Sequence, residues 1–215
     1  MIDGAPAGTV DAVAWHCYAP GGANWSSLAQ FHAANGGAVA QVMTECWLHL
    51  GSGEGFFDLP AFVLGPVQNY AAGAVAWILG GSVDYDLGFP GRDSCGECSG
   101  LVQVNMTAGT YEKTQDFYTL GQFSKFVKKG AVCLATEGSG SAGVVAFRNE
   151  ATAAGKTRGV ENDAGGGKSG DIVLVVVNKA ETDKTISVAL ESGKGNYTLY
   201  VEASSVTTLL LPEHT

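Results

Sequence analysis

The chain has 215 residues, room for one large domain or two small ones. Apolar residues make up 46% and charged residues 15%, which excludes a disordered chain and suffices for a sizeable core. A net charge of −9 with twelve scattered basic residues argues against a nucleic-acid partner, and thirty-one glycines without a three-residue period exclude collagen.

Charge divides the chain. Residues 1–91 hold seven acidic side chains and no Lys or Arg, whereas all twelve basic residues and fourteen acidic ones follow. Such asymmetry points to two environments in one chain. The start, MIDGAPAG, has no basic opening and no apolar run, so no signal peptide is read in it. Val10–Tyr18 is a short, nearly uncharged, strand-like run. Ser26–Ala34 has helical spacing and stops at Asn35-Gly36-Gly37. Ala38–Thr44 reads as a second buried strand, Leu59–Gly73 as a helix and Ala74–Leu79 as a third strand. No charged side chain lies between Asp58 and Asp84, but Pro60, Pro66, Gln68 and Asn69 interrupt that stretch. The unbroken remainder falls short of the about 20 apolar residues that a membrane span needs, so it is read as a buried helix and strand. Strands apolar on both faces that alternate with helices predict a parallel sheet covered by helices.

A Gly- and Asp-rich loop occupies 80–99. Gln115–Lys128 carries amphipathic helix spacing, with apolar residues at 117, 120, 123, 126 and 127. The pattern then changes to period two, predicting strands at Val132–Thr136, Gly143–Arg148, Ile172–Asn178, Thr185–Leu190, Tyr197–Glu202 and Val206–Leu211, with a polar Gly-rich loop at 151–171. The fold class is therefore α/β followed by all-β: an α/β part at 1–130 and an all-β part at 131–215.

Glu45 is the only Asp, Glu, Lys or Arg between Asp11 and Glu54, and it directly ends an apolar strand. Desolvating a carboxylate costs several kcal/mol unless it is paired, so such a residue is seldom there for packing. Two roles fit: a catalytic carboxylate at the C-terminal end of a parallel strand, or a cap on the next helix that meets water. His16 and Tyr18 sit at the corresponding end of the first strand and, being two apart, share a face. Trp77 in the third strand fits either a sugar-site floor or core packing. Trp47, His49, Asp84 and Asp86 follow their strands and have a weaker claim on the same mouth. No nucleophile elbow, phosphate loop or HExxH is present, and no cofactor is called for.

Of the five cysteines, Cys95-Gly-Glu-Cys98 has CxxC spacing. No second pair or His follows at zinc-like spacing, so no metal site is read, and a short structural disulfide is preferred to a redox motif. Glycosylation triplets begin at Asn24, Asn105 and Asn196. With the disulfide they favour a secreted protein, whose signal peptide would then lie upstream of this chain.

The segments AWHCY (14–18), VMTECW (42–47), AVAWIL (74–79) and above all FYTLGQFSKFVKKGA (117–131) resemble, in order, the C-terminal half of glycoside hydrolase family 30. The resemblance covers essentially the whole chain, and the loop around Cys95 and Cys98 is most similar to the secreted fungal members. It implies the last three βα units of a (β/α)8 TIM barrel, then a β-sandwich. It further implies a retaining glycosidase acting on β-linked glucan or galactan, β-1,6 favoured, with glucosylceramide as the substrate alternative. Glu45 then corresponds to the nucleophile, and His16, Tyr18, Trp77 and Trp47 line the sugar site. Retaining hydrolysis needs a second carboxyl as acid/base about 5–5.5 Å away. In the family that group is a Glu after an Asn at the end of the fourth strand. Asn149-Glu150 has the dipeptide but lies in the β-rich half, so it is read as coincidence. A barrel takes about 250 residues and a sandwich about 100. The chain is therefore expected to be a fragment, inactive alone. The partner is a polysaccharide or glycoside substrate, with no nucleic acid and no membrane span. The competing reading is a non-catalytic carbohydrate-binding or structural β-sandwich module that presents Tyr197 and Tyr200.

Overall fold

The structure is a computed structural model that describes residues 8–18, 24–46, 55–83, 100–138, 143–150, 168–190 and 195–211. The chain divides into two compact units, Met1–Phe117 and Tyr118–Thr215, earlier than the expected change near 130.

In the first unit, strand β1 (Ala12–His16) pairs in parallel with strand β2 (Ala40–Glu45), and helix α1 (Ser26–Ala34) connects them. Asn24 starts the helix by accepting the Ser26 backbone N–H at 3.2 Å and the Ser26 hydroxyl at 2.7 Å through Oδ1. Gly36 and Gly37 end it at φ 63° and 76°, with the Gly37 N–H donating to the His32 carbonyl at 3.0 Å. Leu28 is buried, Phe31 meets Trp15 edge to face at 5.8 Å, and the buried Gln41 amide donates to the Leu28 carbonyl at 3.0 Å. One face of the strand pair is thereby tied to α1. The other face carries Ala12, Ala14 and His16, all exposed.

Helix α2 (Gly55–Gln68) is longer at its start and shorter at its end than the expected 59–73. It stops where the Asn69 side chain donates to the Gly65 carbonyl at 2.8 Å and Tyr70 turns to φ 72°. The expected third strand, Ala74–Leu79, forms no ladder of its own. It runs beside β2 through isolated bridging at Ala74, which pairs with Met43, and at Trp77, with the Val75 N–H donating to Met43 O at 2.8 Å and the Trp77 N–H to Cys46 O at 2.9 Å. Strand pairing resumes at β3 (Gly80–Ser82), which joins β4 (Val102–Asn105) in parallel, and β4 pairs antiparallel with β5 (Thr110–Lys113). The sequence reading had no hairpin there. Its turn closes on Asn105, whose Oδ1 accepts the Ala108 N–H at 2.8 Å, and on Gly109 at φ 66°.

Helix α3 (Gln115–Ser124) crosses the division and ends earlier than the expected Lys128. In the second unit, β6 (Val132–Leu134), β7 (Gly143–Arg148), β8 (Ile172–Asn178), β9 (Lys184–Ala189), β10 (Asn196–Val201) and β11 (Ser205–Leu211) agree with the predicted strands to within one or two residues at each end. An antiparallel sheet in the order β11-β8-β7-β6 and the pair β10-β9 supply one core. Ala146, Leu174, Val176 and Leu211 from the first meet Ile186, Val188, Leu199 and Val201 from the second. Burying each such Val, Leu or Ile contributes about 1.5–3 kcal/mol. Strands β9 and β10 alternate cover and exposure, as strands with one wet face must.

Two buried asparagines close this unit. Asn149 donates through Nδ2 to Phe126 O at 3.0 Å and accepts the Lys128 N–H through Oδ1 at 2.9 Å, fixing the chain after α3 to the end of β7. Asn178 donates to Thr182 O at 3.0 Å and to Glu202 O at 2.8 Å, and accepts the Ala180 N–H at 3.2 Å. The Thr208 hydroxyl donates to the Gln122 carbonyl at 2.7 Å, so the end of α3 belongs with the β-rich unit.

Candidate active site

β1 and β2 end side by side, and a register irregularity decides what their ends present. Pairing runs Trp15–Met43, then skips Thr44 to His16–Glu45. An unbroken register would set Glu45 on the face that α1 covers. The extra residue turns it onto the open face with His16, as a bulge does when it re-aims a side chain. Thr44 is held aside, its hydroxyl donating to Trp15 O at 3.2 Å.

The result is a cluster of three side chains. The Tyr18 hydroxyl donates to Glu45 Oε1 at 3.0 Å. His16 Nε2 stands 3.8 Å from Glu45 Oε2, beyond hydrogen-bond length but close enough for attraction when the imidazole is protonated. The His16 and Tyr18 rings meet edge to face at 5.7 Å. Desolvation, then the hydrogen bond to Glu45 and that residue's charge, push the Tyr18 phenol well above its ordinary titration range. Tyr18 is therefore a donor throughout neutral pH. It holds one carboxylate oxygen and leaves the other toward His16. The Glu45 side chain is 29% exposed, open to an incoming molecule.

Trp77 joins the same end of the sheet through its backbone bond to Cys46. Trp47, His49, Asp84 and Asp86 lie outside the described residues, as do Cys95 and Cys98. Among the described residues a disulfide joins Cys17 and Cys46, with Cα atoms 5.4 Å apart. Sequence reasoning missed it and the skipped Thr44. The cysteines did leave a signal: each stands one residue beyond a strand-end candidate, His16 and Glu45. Asn24 is engaged at the start of α1, Asn105 in the β4–β5 turn, and Asn196 is exposed at the start of β10. Asn149-Glu150 is far from this chemistry in role: Asn149 is the buried clamp described above, and Glu150 pairs with Arg148 at 2.6 Å. Of the two tyrosines offered for a binding module, Tyr197 packs against the core, and Tyr200 is exposed but bonded to Asp183. No described helix is long and apolar enough to cross a membrane.

A parallel strand pair with a Tyr-held carboxylate at its end thus precedes a two-sheet unit in the chain. Residues 130–209 match the glycosyl hydrolase family 30 beta sandwich domain. An endo-1,6-beta-D-glucanase of Neurospora crassa is 38% identical over 206 residues, covering 95% of this chain and 40% of that protein. An endo-1,6-beta-D-glucanase of Aspergillus fumigatus is 36% identical over 203 residues, covering 94% and 38%. Among solved structures, the endo-beta1,6-glucanase BT3312 shares the fold at a TM-score of 0.69 and 24% identity, over 93% of this chain and 41% of that one. SrfJ from Salmonella typhimurium does so at 0.73 and 17%, over 95% and 41%. The chain thus spans about two fifths of the length of these relatives. The second unit thus holds the match to the family 30 β-sandwich domain, and nearly the whole chain is similar to the endo-1,6-beta-D-glucanases, in keeping with the resemblance carried by AWHCY, VMTECW and FYTLGQFSKFVKKGA.

Proposed function

We propose that this chain is the nucleophile-bearing part of a secreted retaining glycosidase that cleaves β-1,6-linked glucan. The observation that carries the reading is the hydrogen bond from Tyr18 to Glu45 at the ends of adjacent parallel strands. The names of the Neurospora and Aspergillus relatives favour glucan over galactan or glucosylceramide. In this reading 1–130 is a partial (β/α)8 barrel whose last three strands are β1, β2 and 74–79, and 131–215 is the sandwich domain. Glu45 attacks the anomeric carbon to form a glycosyl-enzyme ester, and water then hydrolyses it. Tyr18 and His16 orient the carboxylate, and Trp77 and Trp47 line the sugar. The Cys17–Cys46 disulfide supports an oxidising compartment.

The acid/base carboxyl that protonates the leaving oxygen is not assigned to any residue of this chain. The chain alone is therefore inactive on polysaccharide. The test replaces the matching segment of the Neurospora relative with this chain and assays release of reducing sugar from β-1,6-glucan. The chimera is active, and Glu45→Gln lowers its kcat at least about a thousandfold, as loss of a nucleophile does. A Glu45→Gln chimera that retains turnover overturns the assignment, as does an inactive chimera in which the relative's own segment restores full rate.

A further inference from the structure

We propose that the Cys17–Cys46 disulfide is the positioning element of this site: it sets the distance between Tyr18 and Glu45 from beneath. The inference rests on the reading of Tyr18 and Glu45 as a working pair.

The argument begins with the ladder. β1 ends at His16 and β2 at Glu45, so Tyr18 lies beyond the paired strands. The register has just been broken at Trp15/His16, which leaves the strand ends with less mutual restraint than an unbroken ladder gives. One backbone bond crosses there, from the Cys17 N–H to Glu45 O, at 3.3 Å. The disulfide supplies the remaining constraint. Cys17 is the residue between His16 and Tyr18, and Cys46 directly follows Glu45, so the bridge joins the immediate neighbours of all three site residues.

Alternation then places it. Successive side chains of a strand point to opposite faces. With His16, Tyr18 and Glu45 on the open face, Cys17 and Cys46 fall on the other. Cys46 is buried, consistent with that side. Its carbonyl also accepts the Trp77 N–H at 2.9 Å, so the same residue anchors the neighbouring segment. A bridge there clamps the backbones without occupying space that a sugar would need. The residues linked are separated by 29 positions, and α1 lies between them, so no local turn could fix that distance.

The test uses the whole chain and reads Tyr18 itself. Peptide mapping without reduction identifies the Cys17–Cys46 linkage. Tetranitromethane at pH 8 then nitrates tyrosines through their phenolates, and mass spectrometry gives the rate at Tyr18, with the exposed Tyr111 and Tyr118 as internal references. In Cys17→Ser/Cys46→Ser, Tyr18 is nitrated about tenfold faster than in the wild type, the rise in phenolate fraction that follows when a phenol titrates one pH unit lower. Glu45→Gln has the same effect with the disulfide intact. Wild-type chain reduced and carbamidomethylated serves as the second route if the double variant does not fold. Absence of the Cys17–Cys46 peptide overturns the proposal. An unchanged Tyr18 rate in the opened forms, with a raised rate in Glu45→Gln, overturns it while sparing the Tyr18–Glu45 pair. No change in either overturns the pair and the proposal together.

Discussion

Tyr18 and Glu45 lie 27 residues apart in sequence, yet the phenol of one donates to the carboxylate of the other at 3.0 Å. The bond exists because two parallel strands end together and one of them carries an extra residue, Thr44, just before its end. The pair has a pH signature. The folded phenol titrates above its ordinary value of 10.0, so at pH values above about 10 the unfolded chain loses a proton that the folded chain retains. The stability from this bond is fully present below pH 10 and is lost as the pH rises toward the folded titration point. Urea midpoints measured between pH 8 and 11 will fall more steeply for wild type than for Tyr18→Phe. Parallel slopes would refute the coupling.

Gly65 of α2 faces the Trp25 indole, and a Cβ built there would lie 2.6 Å from Trp25 Cε2. A methyl group normally helps a helix, but here it would overlap the indole ring, so ring or helix must shift. Gly65→Ala will lower the stability of the first unit by about 1–3 kcal/mol, the usual penalty of overpacking. Thermal or urea unfolding followed through Trp fluorescence gives the value, and a stabilised variant contradicts the packing described.

Asn149 makes one bond as donor and one as acceptor while fully buried. Asn149→Ala removes both bonds and empties a buried polar site, and the loss should be about 1–3 kcal/mol, with the part-buried Phe126 carbonyl and Lys128 N–H regaining some water. Asn149→Asp retains the acceptor for Lys128 but cannot donate to Phe126. It is expected to be destabilised as well, and more so near neutral pH than below its carboxyl pKa. Circular dichroism across urea gradients at pH 4 and pH 7 checks both.

Asp183 accepts the Tyr200 hydroxyl and the Ala203 N–H, the latter at 2.9 Å, and these bonds hold its carboxyl below the usual carboxylate range. A lowered folded value means that the stability is present above the unfolded pKa of about 4 and is lost as the pH falls through the folded one. Both partners are exposed, so the effect is small. Asp183→Asn will flatten the acid limb of the unfolding profile below pH 4 and leave the limb above pH 5 unchanged. A wild-type limb already flat below pH 4 would show that the bond does not persist in solution.

Much of this architecture could be read from the residues. Helix α1 was legible to the residue because Asn35-Gly36-Gly37 supplies the left-handed turn that ends it. The six strands of the second unit were legible because Gly, Lys and Asp punctuate a period-two pattern. The hairpin of β4 and β5 was not, since its four-residue strands mix Gln, Asn, Glu and Lys with few apolar positions, and β5 is exposed throughout. Ala74–Leu79 has the composition of a strand, but two of its large apolar side chains, Val75 and Leu79, are exposed and it bonds to β2 through scattered contacts. Glu45, His16 and Tyr18 could be nominated from their strand ends. What no pattern disclosed was the skipped Thr44, which alone determines the face that Glu45 takes. The Cys17–Cys46 pairing was hidden for a different reason: five cysteines admit several connectivities, and sequence does not choose among them.

All seven residues of β8 are buried, and six of them, IVLVVV, are aliphatic. Ordinarily a strand cannot slip by one position, because slipping would drown its apolar side chains and bury its polar ones. β8 has no such safeguard: shifted along its neighbours, it would still present hydrocarbon to both sides. Its last residue, Asn178, carries the polar mark: Nδ2 donates to the Glu202 carbonyl beyond β10 at 2.8 Å, while its bonds to Thr182 and Ala180 close the turn that follows the strand. A single polar side chain thus acts as the alignment mark for a strand whose own pattern carries none, and errors there would yield a misfolded sandwich with a fully apolar centre.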